Sequence, residues 1–325
     1  MKAGTAILEA FYQAEGQFVR AIDIKGRLKL SPATMAAEIG QLEKLGYAIE
    51  SHPHFGYRLL GTPDRLIADD IKARLRTSVI GSEILVFEQT SSTNDVVARL
   101  ADSQRGEGLV VFAESQTKGR GRHGRAWASP RGKGLWFSAL LRPKLPLSAA
   151  PRLTVAASVA VARTIRKTSG LDARIKWPND VTVGGKKLAG VLTELRAEAD
   201  EILHAILGIG IDVNCVAADF SPEIAQIATS LQIETGRPHD RAALGTAVLR
   251  ALDKCYAAAQ EDFDVIIAEW AQLSTTLGKQ IVVTMGARQI EGHVQALDSD
   301  GALLVRKDSG QIERILGGDV VAERA

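Results

Sequence analysis

The run Gly119-Arg120-Gly121-Arg122-His123-Gly124-Arg125 alternates a residue that lets backbone approach a ligand with one that grips carboxylate or phosphate in two parallel bonds. It formally fits G-x-G-x-x-G. A dinucleotide fold would need a helix directly afterwards, and Trp127, Ser129, Pro130 and more glycines precede a strand here instead. Gly-Lys-Ser/Thr, the end of a phosphate loop, is absent too. What is left is a glycine–arginine clamp. From Ser115 to Leu171 the chain has twelve Lys and Arg and no Asp or Glu, six of them between Lys118 and Lys133, so the clamp lies in a segment suited to anions. A solvated basic surface is the plainer reading, and the interleaved glycines argue against it. Two further clusters carry candidate chemistry. Lys176-Trp177-Pro178-Asn179-Asp180 ends a strand-like run and leads into Gly184-Gly185-Lys186-Lys187. Lysine beside developing negative charge, with an acid nearby, suits acyl-phosphate chemistry, while an ordinary β-hairpin explains the same residues without function. Gln89-Thr90-Ser91-Ser92-Thr93-Asn94-Asp95 leads a strand into a helix, where such hydroxyls and amides cap the helix and can also hold a polar, uncharged ligand.

These residues need a framework, and three regions supply one. Residues 1–63 read as helices over 5–15 and 19–28, then Ser31-Pro32 starting a third that places Met35, Ile39 and Leu42 on one face, then two short strands around HPHFG. That order is a winged helix-turn-helix. Residues 64–274 alternate strand-like runs (84–89, 108–115, 135–141, 187–195, 202–213) with helices near 92–101, 151–168 and 240–260. Strands joined by short turns predict a mixed or antiparallel sheet with helices on one face, an α+β layer. Residues 275–325 alternate short strands and turns, which predicts a small barrel.

Composition narrows the class. The chain has 325 residues, a net charge of +2 and two cysteines, Cys215 and Cys255, without metal-type spacing. A reducing, cytoplasmic setting is expected, and neither a disulfide framework nor a membrane span is. His52 and His54 in the wing lack further ligands and read as a solvated loop.

Taken in order, Ser92-Thr93-Asn94, Gln116 with the 119–125 loop and Trp127, Lys176 to Asp180, Lys187-Leu188-Ala189-Gly190 and Gly208-Ile209-Gly210 resemble the biotin protein ligases, in the form with an amino-terminal winged helix that also represses the biotin operon. The resemblance implies a central biotin/lipoate ligase-like domain and a carboxy-terminal SH3-like barrel. It implies an ATP-dependent, AMP-forming activity with Mg²⁺: biotin and ATP give biotinyl-AMP, and a lysine of a biotin carboxyl carrier protein accepts the biotin. Ser92, Thr93, Asn94 and Gln116 would hold the ureido ring. Arg120, Gly121 and Arg122 would close over carboxylate and adenylate, with Lys187 at their junction. Asp180 would help place ATP or orient the incoming lysine, and Arg125, Trp127, Lys176 and Asn179 would flank the nucleotide. A homodimer binding operator DNA through Thr34, Gln41 and Arg58 is the implied second activity. A lipoate ligase or octanoyl transferase on the same fold, and a repressor alone, stand as alternatives. One departure is visible: such ligases commonly carry Gly-Ile-Asn where this chain has Gly210-Ile211-Asp212.

Overall fold

Ile7, Leu8 and Phe11 recur at helical spacing, and they are buried along helix α1, Ala3–Gln13. They pack on Met35, Ile39 and Leu42 of α2, Pro32–Lys44, and on Tyr47. The Ser31 hydroxyl accepts the Thr34 amide at 3.1 Å and so starts α2. Strands β1 (Ala48–His52) and β2 (Gly56–Gly61) form the antiparallel wing. The computed structural model describes residues 3–20, 22, 31–103 and 105–324, so most of the helix expected over 19–28, with Lys25, Arg27 and Lys29, lies outside the described residues. Val19 departs from that expectation: it is extended and bridges Tyr57. Helix α3, Ala68–Arg74, adds a buried polar knot in which the Tyr12 hydroxyl donates to Asp70 and the Arg74 guanidinium lies 3.1 Å from Asp70 and 3.3 Å from Asp240. These elements belong to one unit, Met1–Arg76 with Asp240–Thr246, and Thr77–His239 with Ala247–Ala325 form the other.

The second unit is built on β3 (Glu83–Phe87), β4 (Leu109–Ala113), β5 (Gly134–Leu141), β6 (Arg174–Lys176), β7 (Asp180–Val183), β8 (Lys186–Glu198) and β9 (Glu201–Asp212). They form one sheet in the order β3-β4-β5-β9-β8-β7-β6. Only β3 and β4 run parallel, so the sheet is mixed, as the short turns predict. Every residue of β4 and β5 is buried, which requires cover on both faces. The expectation of helices on one face is therefore corrected. Helix α4, Thr93–Asp102, packs Val96 and Val97 against Leu140 and Ile206. Helix α5, Pro151–Ser169, lies on the opposite face, where the Thr154 hydroxyl meets that of Thr193 at 2.8 Å. Thr193 pairs with Leu207, and strand alternation turns Leu207 away from Ile206.

After β9 come two short helices, α6 (Pro222–Ala225) and α7 (Leu231–Thr235), then α8 (Arg241–Glu261) and α9 (Phe263–Leu273). The chain finishes in five antiparallel strands, β10 (Gln280–Met285), β11 (Arg288–Leu297), β12 (Leu303–Arg306), β13 (Ile312–Ile315) and β14 (Asp319–Arg324), ordered β13-β12-β11-β10-β14. Among the described residues no helix is long and apolar enough to cross a membrane.

Candidate active site

Two glycines on one face of β9 define the floor of a cleft. A Cβ at Gly208 would overlap Asn94 Oδ1, and one at Gly210 would stand 2.8 Å from the Trp127 ring, so neither side chain could lie where it does over a larger residue. The first contact makes a polar cup. The amide of Thr93 opens α4 by donating to Gln116 Oε1 at 2.8 Å, so the acceptor at this helix start is Gln116 and not the buried Ser92, whose side chain makes no cap bond. Gln116 Nε2 donates onward to Ser129 Oγ at 2.9 Å. Below them, the fully buried Ser138 hydroxyl reaches Thr93 Oγ1 and Asn94 Oδ1, and Asn94 Nδ2 donates to Glu194 at 2.7 Å. Neutral donors and acceptors in fixed orientations suit an uncharged polar ring.

The second contact leads to charge. Trp127 lies edge-on to Trp136, its indole nitrogen buried without a partner among the described residues. Lys187 Nζ stands 5.1 Å from the centre of the Trp127 ring and 2.6 Å from Asp180 Oδ1. The backbone of Lys187 is clamped by Ile227 and Thr229, the amide donating to Ile227 O at 2.7 Å and the carbonyl accepting from Thr229 at 2.8 Å. An ammonium over an indole face beside one carboxylate is a cation with a partner it can exchange for a stronger one.

The glycine–arginine loop is held at both ends. Arg120 bonds Asp95 at 2.7 Å and Glu194 at 3.0 Å. Burial opposes its charge, and the bonds to Asp95 and Glu194 outweigh this and raise the guanidinium above its ordinary value. Arg122 donates to Gly318 O at 3.0 Å and Asn179 Oδ1 at 3.3 Å, with Asp319 3.7 Å away. Its pKa is lowered, chiefly by burial, which leaves this cation short of negative charge. Arg125 and His123 also face Asp319. Gly121 donates its amide to Arg125 O at 2.7 Å, closing the loop on itself. Asn179 fixes the edge of β8, donating through Nδ2 to Val191 O at 2.8 Å and accepting the Val191 amide at 2.9 Å. Arg122 and Asn179 open onto a cavity of about 120 Å³, shared with Thr154, Thr193 and Gly317.

The structure thus brings together Thr93, Asn94, Gln116 and Arg120 at one end, Trp127, Lys187 and Asp180 at the other, and Arg122, Arg125 and Asn179 beside them. Lys176 lies on β6 opposite Asp180. The sequence reading missed Ser138, Glu194 and Asp319, and it gave Ser129 and Asp95 no part in the site. For Glu194 a signal existed: Gly190, Leu192 and Glu194 share one face of β8.

In the first unit, Thr34 shares a hydrogen bond with the Ser31 hydroxyl at 2.8 Å, Gln41 is exposed, and Arg58 is engaged by Glu50 at 2.9 Å and lies 4.6 Å over the Phe18 ring.

Comparison with known proteins gives the family. The chain matches the Biotin/lipoate A/B protein ligase family over residues 86–212 and the Biotin protein ligase C terminal domain over residues 276–322. It is 36% identical over 315 residues to the bifunctional ligase/repressor BirA of Bacillus subtilis (strain 168), covering 97% of each chain. This chain is a member of the biotin protein ligase family. A further relative, the biotin--[acetyl-CoA-carboxylase] ligase of Mycobacterium tuberculosis, is 30% identical over 269 residues, covering 79% of this ligase and 97% of that one. Among solved structures, the biotin protein ligase from Aquifex aeolicus in complex with biotin and ATP aligns with a TM-score of 0.63 and 31% identity, over 75% of this ligase and 99% of that chain.

Proposed function

We propose that the cleft over β8 and β9 performs both half-reactions of biotin transfer. A carboxylate oxygen of biotin attacks the α-phosphorus of ATP, and pyrophosphate leaves. The neutral amine of a lysine on a biotin carboxyl carrier protein then attacks the acyl carbon of biotinyl-AMP, AMP leaves with the electron pair of the broken bond, and the nitrogen gives up one proton to water. One observation carries this reading: the Lys187 ammonium stands at one end of a cleft whose other end is the neutral cup of Thr93, Asn94 and Gln116. The cup suits the uncharged ureido ring, and the ammonium offsets repulsion where two anions meet. During activation Lys187 exchanges Asp180 for the oxygens that gain charge. Asp180, so released, is free to orient the incoming lysine. Arg122, drawn to the adenylate from Gly318 and Asn179, closes the loop over it and keeps water from the anhydride. Trp127 walls the reacting end, Arg125 and Lys176 flank the nucleotide, and the buried Ser92 backs the biotin end with Gly121.

Among the described residues no group of three or more His, Cys, Asp or Glu side chains could hold a metal ion. Magnesium is expected on the triphosphate, where one or two carboxylates such as Asp180 would be enough to place it. Buried, free Cys215 and Cys255 support work in the cytoplasm.

The test is mass spectrometry of a carrier domain incubated with the ligase, biotin and ATP. A mass gain of one biotinyl group on one lysine is expected, and an unmodified carrier overturns the reading. Lipoate is the competing acid on this fold, and it should fail to support ATP–pyrophosphate exchange where biotin succeeds.

The helices and wing of the first unit, and the repressor activity in the Bacillus subtilis relative's name, support a second role in binding operator DNA as a homodimer. A gel shift with DNA upstream of biotin genes should appear with biotin and ATP present. No shift, with or without biotin and ATP, removes the role.

A further inference from the structure

Asp212 ends β9 on the same face as Gly208 and Gly210, because alternate residues of a strand point the same way. It therefore stands at the reacting end of the cleft, beyond Trp127. Lys187 packs at that end: a Cβ at Gly190, the cross-strand partner of Gly210, would lie 3.2 Å from the Trp127 ring and 3.3 Å from Lys187 Nζ. Asp212 is only 5% exposed. The donor to its carboxyl is a thiol, Cys215 Sγ at 3.6 Å, which is a weak substitute for water.

The charged groups around it come from several elements. Lys187 faces it from β8, and Asp180 on β7 competes for that ammonium. Cys215 follows β9, flanked by Lys133 from before β5 and by Asp219, which are 3.4 Å apart. On α7, Glu234 is held by the Thr229 hydroxyl at 2.6 Å. Lys133 and Asp219 thus largely offset each other, and Lys187, which Asp180 already holds, is the cation that Asp212 feels.

We propose that Asp212 is a positioning residue for biotin activation, acting through Lys187: as a neutral acid it leaves the ammonium to the incoming anions, and as a carboxylate it draws the ammonium back and repels them. This rests on reading the cleft as the biotin–ATP site. Burial pushes the Asp212 carboxyl up to about 7, against the opposing Cys215 bond and Lys187 charge, so both forms are within reach near neutrality. Nucleotide entry then favours the protonated form, and ATP binds with uptake of a proton.

The test is biotin-dependent ATP–pyrophosphate exchange by the full chain and by Asp212→Asn from pH 6 to 8.5. The parent's KM for ATP should rise about tenfold relative to the variant's, the equivalent of one pKa unit of coupling, while kcat changes little. ATP's own ionisation is common to both and cancels. Parallel KM profiles overturn the proposal. A parent without exchange at any pH overturns the functional reading instead. Calorimetry on the parent keeps the proposal testable if the variant does not fold: at pH 8, in buffers of different ionisation enthalpy, ATP binding should take up protons, and an uptake near zero overturns it.

Discussion

At the scale of single residues, the arginines of one loop divide their work by the company they keep. Arg120 already has two carboxylates, whereas Arg122 has a carbonyl, an amide oxygen and a more distant carboxylate, so Arg122 has more to gain from an anion. Arg122→Ala should release free biotinyl-AMP into solution, which chromatography of a reaction without carrier will measure; retention equal to the parent's removes the role. Lys187→Ala should lower biotin-dependent pyrophosphate exchange by at least about 10²-fold, the scale on which a positioned charge acts on a developing anion. Glu194→Ala strips partners from both Arg120 and Asn94. Because the Arg120–Glu194 pair is partly exposed, the expected loss of stability is about 1 kcal/mol, seen by denaturant unfolding. Asp212 also makes stability depend on pH. Its pKa is raised on folding from 3.8 to about 7, so its stabilising contribution is fully present below pH 4 and is lost as pH rises through 7. Asp212→Asn should therefore melt several degrees higher than the parent at pH 8, with the gap closing towards pH 4. The motif residues were legible because each lies beside others of its own motif. Glu194, Ser138 and Asp319 were not, because partners 100, 44 and 194–197 residues away bring them in.

At the scale of elements, strands were the most readable feature. The apolar runs of β4, β5 and β9 leave few alternatives, and short turns order β7, β8 and β9 as antiparallel neighbours. Which helix covers which face was not readable. It depends on the parity of one strand's register against the next, and a shift of one residue would exchange the two faces. The same parity places Gly208, Gly210 and Asp212 in line along the cleft. Gly208→Ala tests it: the added methyl must displace Asn94, so the KM for biotin should rise at least about tenfold, the cost of misplacing one well-made hydrogen bond, while pyrophosphate exchange at saturating biotin persists.

At the scale of the whole molecule, the carboxy-terminal strands contribute more than bulk. Asp319, at the start of β14, gathers Arg122, His123 and Arg125 of a loop almost 200 residues earlier. The sequence pattern offered no hint of that partnership, since turn signals locate strands and not their counter-ions. A second long-range link has a different consequence. Asp64 and Arg74 find their partners in Arg241 and Asp240, which follow 177 and 166 residues later, and Arg241 is almost wholly buried. The wing-bearing portion, which leaves the ribosome before the sheet does, therefore cannot finish assembling until the entire seven-stranded sheet has been translated. A shortened enzyme beginning after residue 76 would also lose the aspartate that pairs with Arg241, and trimming the amino terminus is consequently a change to the segment that stays as well as a subtraction from it.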